Sequence, residues 1–404
     1  MSQFSRRQWL AGGGAALAAL GLGRAGMQGL LGNDGSPGLN AWVDWQDDRY
    51  LGPLALIAAG VLAASPHNTQ PWHFAVGRFG VDIFEVPERN LGAMDPLGRE
   101  RRAGLGAAIH NMALASTRLR RPAKVRLLPD AGNPLHMARV VLGPVGSGPA
   151  PHPLLQAIAR RHTHRGVWTG APISDAVQQR LLAFPQPDNI RIVLFAATSP
   201  LGRSFARLTQ RATEAIVADA QMINASHHWF RHEKRDADRL RDGLGLRTSG
   251  LDGLTAFAGA MLPQPDAATE GAYWLAATRD THLPSASLFG LILADDPADV
   301  RQALLTGMAW QRLHLQATAL GLVAQPLNQL PEMIDRERQL RRPAGYALSA
   351  APLLAGQLPG FAFRLGHADA AAPASLRRPV SDVLGPASRL DFEVEEWRRD
   401  GGAF

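Results

Sequence analysis

There is no cysteine anywhere in the 404 residues. That excludes disulfides, thiolate metal sites and cysteine nucleophiles. It does not exclude export, because a chain of this length can bury a core large enough to stand without cross-links. Charge is also sparse. Only 19% of residues are charged against 46% hydrophobic, the balance of a globular protein rather than a disordered one. The net charge of +7 comes from scattered arginines with no run that interleaves basic and aromatic residues, so nucleic acid is not an expected partner. Neither G-K-[ST] nor G-x-S-x-G occurs, which removes the P-loop and the serine hydrolases of that type. The N-terminal apolar run, residues 11–22, is about 12 residues long and too short for an ordinary membrane span.

What is present centres on Ala64-Ser65-Pro66-His67-Asn68-Thr69-Gln70-Pro71-Trp72. An apolar run from Leu51 precedes it, and His73-Phe74-Ala75-Val76 follows as an expected strand. Pro66 and Pro71 each push the preceding residue out of the helical region, so a helix should stop near Ser65. The result is a rigid, polar-lined loop at an element terminus, a common place for a binding site. A solvated turn is the alternative reading of the same residues.

In chain order, residues 1–26 read as a targeting segment, 27–48 as a linker anchored by Trp42 and Trp45, and 386–404 as a tail. A first lobe is expected over 49–148 and a second over 149–385, separated by the Gly- and Pro-rich stretch from Gly143 to Pro153. Val81 to Val86 alternates with period two, a half-buried strand. Further strands are expected at 125–128, 138–142, 191–195 and 359–366. Leu105, Ala108, Ile109 and Met112 recur at helical spacing, as do Leu304, Met308, Leu315 and Ala319; both stripes are core. A long helical region is expected over 199–232, a capped helix begins after Ser174, and 242–265 reads as irregular and as a candidate lid. The mixture of strands and helices gives an α+β fold.

Two basic clusters stand out. Arg160-Arg161-His162-Thr163-His164-Arg165 packs cations and a hydroxyl into six residues, and Arg377-Arg378-Pro379 closes the second lobe. Either is a solvated turn or an anion cradle, in which planar guanidinium forks match phosphate oxygens. His228 and His232 stand one helical turn apart, but a zinc site needs a third ligand, so no metal is expected. Gly21-Leu22-Gly23-Arg24-Ala25-Gly26 fits G-x-G-x-x-G without a preceding strand and is rejected as a dinucleotide site.

Taken together, these stretches resemble the nitroreductase-like FMN-dependent family. Ser65-x-x-Asn68-Thr69-Gln70-Pro71-Trp72 resembles its flavin-binding loop, Arg161-x-Thr163-x-Arg165 its phosphate and flavin-edge motif, and Arg377 its C-terminal phosphate contact. Ser375 stands where the family has another basic residue. The resemblance implies FMN bound by Ser65, Pro66, Asn68, Arg161, Thr163, Arg165 and Arg377, with Arg165 near the N1–O2 edge and no side-chain acid or base required. Gln70 and Trp72 are read as structural.

The order of the motifs departs from an ordinary nitroreductase, because the loop comes about ninety residues before the arginines. That order resembles the large fused, Acg-like subgroup: two lobes forming an internal pseudo-dimer, one complete site, and a degenerate one near Phe184-Pro185-Gln186-Pro187. The chain is then a monomer of this kind or a higher homo-oligomer. The implied function is an oxidoreductase. NADH, NADPH or another donor would pass hydride to flavin N5, for reduction of nitroaromatic or quinone-like acceptors. The alternative is a flavin-sequestering protein without turnover. Ser5-Arg6-Arg7-Gln8-Trp9-Leu10 before residues 11–22 resembles a twin-arginine signal. It implies the twin-arginine export machinery as a partner and a periplasmic or otherwise exported location.

Overall fold

The two longest helices, Arg99–Arg118 and Val300–Ala319, cross at a point where neither carries a side chain. A Cβ on Gly106 would lie 2.0 Å from the carbonyl oxygen of Leu304, and one on Gly307 would lie 1.9 Å from that of Ala103. Each glycine therefore meets the residue three positions before the other, so the contact is two-fold symmetric in sequence terms. The computed structural model describes Arg24, residues 35–187 and residues 189–385. The expected targeting segment (Arg24 apart) and the tail lie outside the described residues.

Around this crossing the chain repeats one path. In the first lobe β1 (Trp72–Gly77), β2 (Gly80–Glu85), the first central helix, β3 (Ala123–Leu127) and β4 (His136–Leu142) form an antiparallel sheet of order β1-β2-β4-β3. In the second, β5 (Ile190–Ala196), β6 (Leu288–Ala294), the second central helix, β7 (Val323–Pro326) and β8 (Leu358–Gly366) form a sheet of order β5-β6-β8-β7. The fold is α+β with two fused lobes.

The lobes differ in what is inserted. Two residues turn β1 into β2, whereas residues 197–287 separate β5 from β6 and residues 327–357 separate β7 from β8. The insertions cover the face of the second sheet turned away from its central helix. Along β6, Leu288, Ile292 and Ala294 pack with Trp310 and Leu313 of that helix, while Phe289, Leu291 and Leu293 pack with Phe205 and Leu330 from the insertions. A strand buried on both faces reads as an unbroken apolar run, which periodicity cannot assign, and β6 was not anticipated.

Three other expectations are corrected. The region 199–232 is not one helix: Pro200–Ala218 ends at Asp219, whose extended backbone and carboxylate start Ala220–His227 by accepting from Gln221 N at 2.9 Å and Met222 N at 3.3 Å. Aspartate is a strong N-cap, so it restarts the helix at an angle. The stretch 242–265 is not irregular throughout, because Asp252 caps a nine-residue helix, Gly253–Met261. Within the expected linker, Asn40–Gln46 is helical and buries Trp42 and Trp45 against the first lobe.

The central crossing is rigid because it is made of backbone. Gly307→Ala forces a methyl into the space of a carbonyl group, an overpacking that the flexible end of a side chain cannot relieve. A loss of about 3 kcal/mol is expected. Chemical denaturation would read it as a lowered midpoint, and an unchanged midpoint would contradict the contact.

Candidate functional site

The loop 64–71 is built from unusual backbone. Ser65 is extended (φ −147°, ψ 137°), Pro66–Asn68 makes one tight turn, and His67, Asn68 and Gln70 have φ of +44°, +57° and +51°. Non-glycine residues in the left-handed region are uncommon, and three within four positions persist only where the surroundings hold them. The holding contacts are all present. Ser65 Oγ accepts from Gln70 N at 2.8 Å, Ala64 N donates to Gln311 Oε1 at 3.1 Å, and Gln311 Nε2 donates to Asn111 Oδ1 at 2.8 Å. The two central helices thus reach the residue just before the loop. Gln70 acts as a clamp, donating to Arg241 O at 2.8 Å and accepting from Arg378 N at 2.8 Å. Trp72 is fully buried in the first core.

Both basic clusters arrive at this loop. Arg161, only 2% exposed, donates to Leu62 O at 3.1 Å, and its Nε has no partner. Arg377, 3% exposed, donates to Asn68 Oδ1, to Ser375 Oγ at 2.7 Å and to Ala63 O at 3.1 Å; its Nε is also unpartnered. Asn68 is fully used: its Nδ2 donates to Leu376 O at 2.9 Å and Gly243 O at 3.2 Å. Its amide therefore orients Arg377 and the surrounding chain. Ser375, the departure from the family pattern, serves Arg377 as an acceptor.

Arg165 acts on the loop at His67. It donates to Thr248 O at 3.0 Å, and its charge, after burial, helps push the His67 imidazole down to about 4. His67 in turn bonds Ser226 Oγ at 3.0 Å. Thr163 is half-buried and bridges to Ala324, with His164 N donating to Ala324 O at 3.2 Å, so the motif is laid along β7. The structure brings Ser65, Pro66, Asn68, Arg161, Arg165 and Arg377 around one loop, with Thr163 between the two arginines of its motif.

The electrostatics are one-sided. Burial pushes Arg161 and Arg165 each down to about 10, and burial together with Arg161 holds Arg377 well below the ordinary guanidinium value. Among the described residues none of these three has a carboxylate acting on it. A buried charge without a partner is costly, so the arrangement calls for an anion. Unpartnered donors on two adjacent guanidinium groups are what a phosphate would satisfy, and the residues present fit the FMN phosphate on that ground.

Sequence reasoning missed several members. Arg364 on β8 is fully buried, lies 3.7 Å from the Trp168 ring, and donates to Gln325 Oε1 (2.8 Å), His282 O (2.8 Å) and Gly166 O (3.1 Å). It faces Arg165 and, mainly through burial, is pushed down to about 9. Its signal was an arginine inside an apolar strand. His314 and His162 flank Arg161, each with an unpartnered Nδ1, and Trp42 packs edge-on against His162 at 4.5 Å. Among the described residues no cluster of metal-ligating side chains occurs; His232 Nε2 instead lies 2.9 Å from Leu262 O. At the pseudo-symmetric place before β5, Gln186 Oε1 accepts from Ile192 N at 2.9 Å, an ordinary turn contact.

Burial holds four histidines neutral here: His67 down to about 4, His162 and His282 down to about 3, and His314 well below the ordinary imidazole value. The unfolded chain binds protons on these groups below about pH 6.5 and the folded chain does not. Their contribution to stability is therefore present above about pH 6.5 and is lost as pH falls toward 3–4. The denaturation midpoint is expected to drop across that window, less steeply in His162→Gln. Identical slopes in the two proteins would show that His162 is not held neutral.

No family model matches the chain. It is 28% identical over 358 residues to a Mycobacterium tuberculosis (strain H37Rv) protein provisionally named NAD(P)H nitroreductase Rv3131, covering 85% of this chain and 90% of that one. It is 32% identical over 135 residues to the M. tuberculosis protein provisionally named NAD(P)H nitroreductase acg, covering 33% of this chain and 41% of the relative. Among solved structures, the FMN-dependent nitroreductase NfnB of Mycobacterium smegmatis in complex with NADPH aligns over 57% of this chain and 97% of its own. The identity there is 16% and the TM-score 0.35, too low to add weight. The chain is thus similar, along most of its length, to a protein named as a nitroreductase.

Proposed function

We propose that this chain is an FMN-dependent oxidoreductase of nitroreductase type, with a single flavin site between its lobes. One observation carries the reading: Arg161 and Arg377 are buried beside one loop with unpartnered donors and no carboxylate acting on either. The similarity to the named nitroreductases supports it.

In this reading Arg161 and Arg377 hold the phosphate. Thr163 supplies a neutral hydroxyl, and Ser65, Pro66 and Asn68 line the loop against the ring system. FMN held there would supply two-electron hydride chemistry, with NADH, NADPH or another donor on one side and a nitroaromatic or quinone-like acceptor on the other. Arg165, backed by Arg364, places positive charge where reduction adds negative charge. Their low-dielectric surroundings strengthen that attraction. The buried histidines stay neutral and add no further positive charge to the arginines. Export by the twin-arginine route, with action outside the cytoplasmic membrane, belongs to the same proposal and rests on Arg6, Arg7 and the apolar run after them.

A second reading, flavin sequestration without turnover, is favoured by residues 241–250. This strap bonds the loop through Gly243 and Gln70's partner Arg241, and bonds Arg165 through Thr248. Anaerobic addition of NADH or NADPH separates the two. Bleaching of the flavin bands supports catalysis, and persistent bands with tightly held flavin support sequestration.

Arg161→Met tests the site itself. Losing charged hydrogen bonds of about 1.5–3 kcal/mol should weaken FMN binding roughly 10- to 150-fold. The flavin-free variant should melt at or above the temperature of the parent, because an uncompensated buried charge has been removed. Unchanged FMN affinity would remove Arg161 from the site. Reduced affinity together with a lower flavin-free melting temperature would make its role structural.

A further inference from the structure

The helix Gly253–Met261 is apolar yet buries only Ala260; Leu254 is 80% exposed, Phe257 44% and, just beyond, Leu262 62%. Leu254 and Phe257 are three residues apart and share a face. The helix continues directly from the strap at 241–250 that touches Asn68 and Arg165, and a Cβ on Gly250 would lie 2.4 Å from the Arg165 carbonyl carbon. Whatever covers this face bears on the strap.

One residue from the far N-terminus is already there. Arg24 donates to Ala260 O at 3.0 Å and Leu262 O at 2.6 Å, and pairs with Glu233 at 3.0 Å. It supplies a cation to the last carbonyls of the exposed helix, the end at which positive charge is favourable. The chain upstream of Arg24 therefore starts at the C-terminal end of Gly253–Met261. Within two residues it enters the uncharged run 11–22, with Leu17, Leu20 and Leu22. At about 1.5 Å per residue, twelve helical residues span roughly 18 Å and the nine-residue helix roughly 13 Å, so the run is long enough to cover the whole exposed face.

We infer that residues 11–22 dock on the exposed face of Gly253–Met261, with Arg24 as the anchor. The segment then has a second role beside the proposed targeting, as the cover of this helix. The docking does not rest on the function proposed above.

The absence of cysteine makes a direct test simple. In the full chain, Leu20→Cys is combined with Phe257→Cys, and Leu17→Cys with Leu254→Cys. The control pairs Leu20→Cys with Val145→Cys, an exposed position (80%) in the loop between the lobes. All substituted partners on the folded body are surface residues, and circular dichroism checks that each variant folds. Under mild oxidation at least one helix pair should form an intramolecular disulfide tenfold faster than the control, and Arg24→Ala should slow it. Rates equal to the control overturn the inference. A fast disulfide joining two chains also overturns it, in favour of a second copy on this face. Control-like rates in a chain that sediments with anionic phospholipid vesicles overturn it in favour of a lipid surface. None of these readouts uses flavin, so failure here is distinct from failure of the proposed function.

Discussion

Everything in this molecule hangs on the backbone contact at Gly106 and Gly307. Because no side chain separates the two central helices there, each lobe is docked on the other at a fixed distance and angle. A looser, side-chain-mediated contact could repack; one between carbonyl oxygens and glycine Cα atoms cannot. The consequence reaches the candidate site through the buried pair Asn111 and Gln311, one from each helix, which ends on Ala64 N beside Ser65. The loop's strained turn belongs to the first lobe, and it is held from the first lobe, from the second lobe and from the C-terminal segment.

Charge is distributed with the same asymmetry. Arg99, as buried as Arg364, is paired with Asp335 at 2.6 Å and Glu100 at 3.2 Å. The chain therefore neutralises a buried arginine where structure alone is at stake. Around the loop it does not: Arg161, Arg165, Arg364 and Arg377 rely on backbone carbonyls, amides and aromatic faces. Neutral acceptors orient a guanidinium without cancelling its charge, so the positive potential stays available to an incoming anion. The cost falls on the stability of the chain with no anion bound, the usual trade between a site and its scaffold.

The repeated path of the two lobes bears on why the proposed site would occur once rather than twice. Both lobes follow the same strand–strand–helix–strand–strand path, but only the second carries long insertions. Those at 197–287 supply the strap, the partner of His67 and the carbonyl that receives Arg165. At the related position before β5, Gln186 serves its own turn. The symmetry that assembled the scaffold was broken by what was added to one half of it.

By itself the sequence determined the local features: the loop between Ala64 and Trp72, the strands that alternate, the striped central helices, the caps at Ser174 and the two arginine clusters. These rest on short-range rules of proline, period and polarity, which act within a few residues. It also brought together, by resemblance, the residues expected at one site. Tertiary structure decided the rest. β6 is apolar on both faces because helices from distant insertions cover it, so no period marked it. Asp219 breaks a helix that reads as continuous because its carboxylate caps the next one and pairs with Arg336. Arg364 and His314 look like strays in apolar elements until the fold sets them beside Arg165 and Arg161. Glycines 106 and 307 are two among 41 until their helices cross. In each case the deciding partner lies far away in the chain, and only folding brings it within reach.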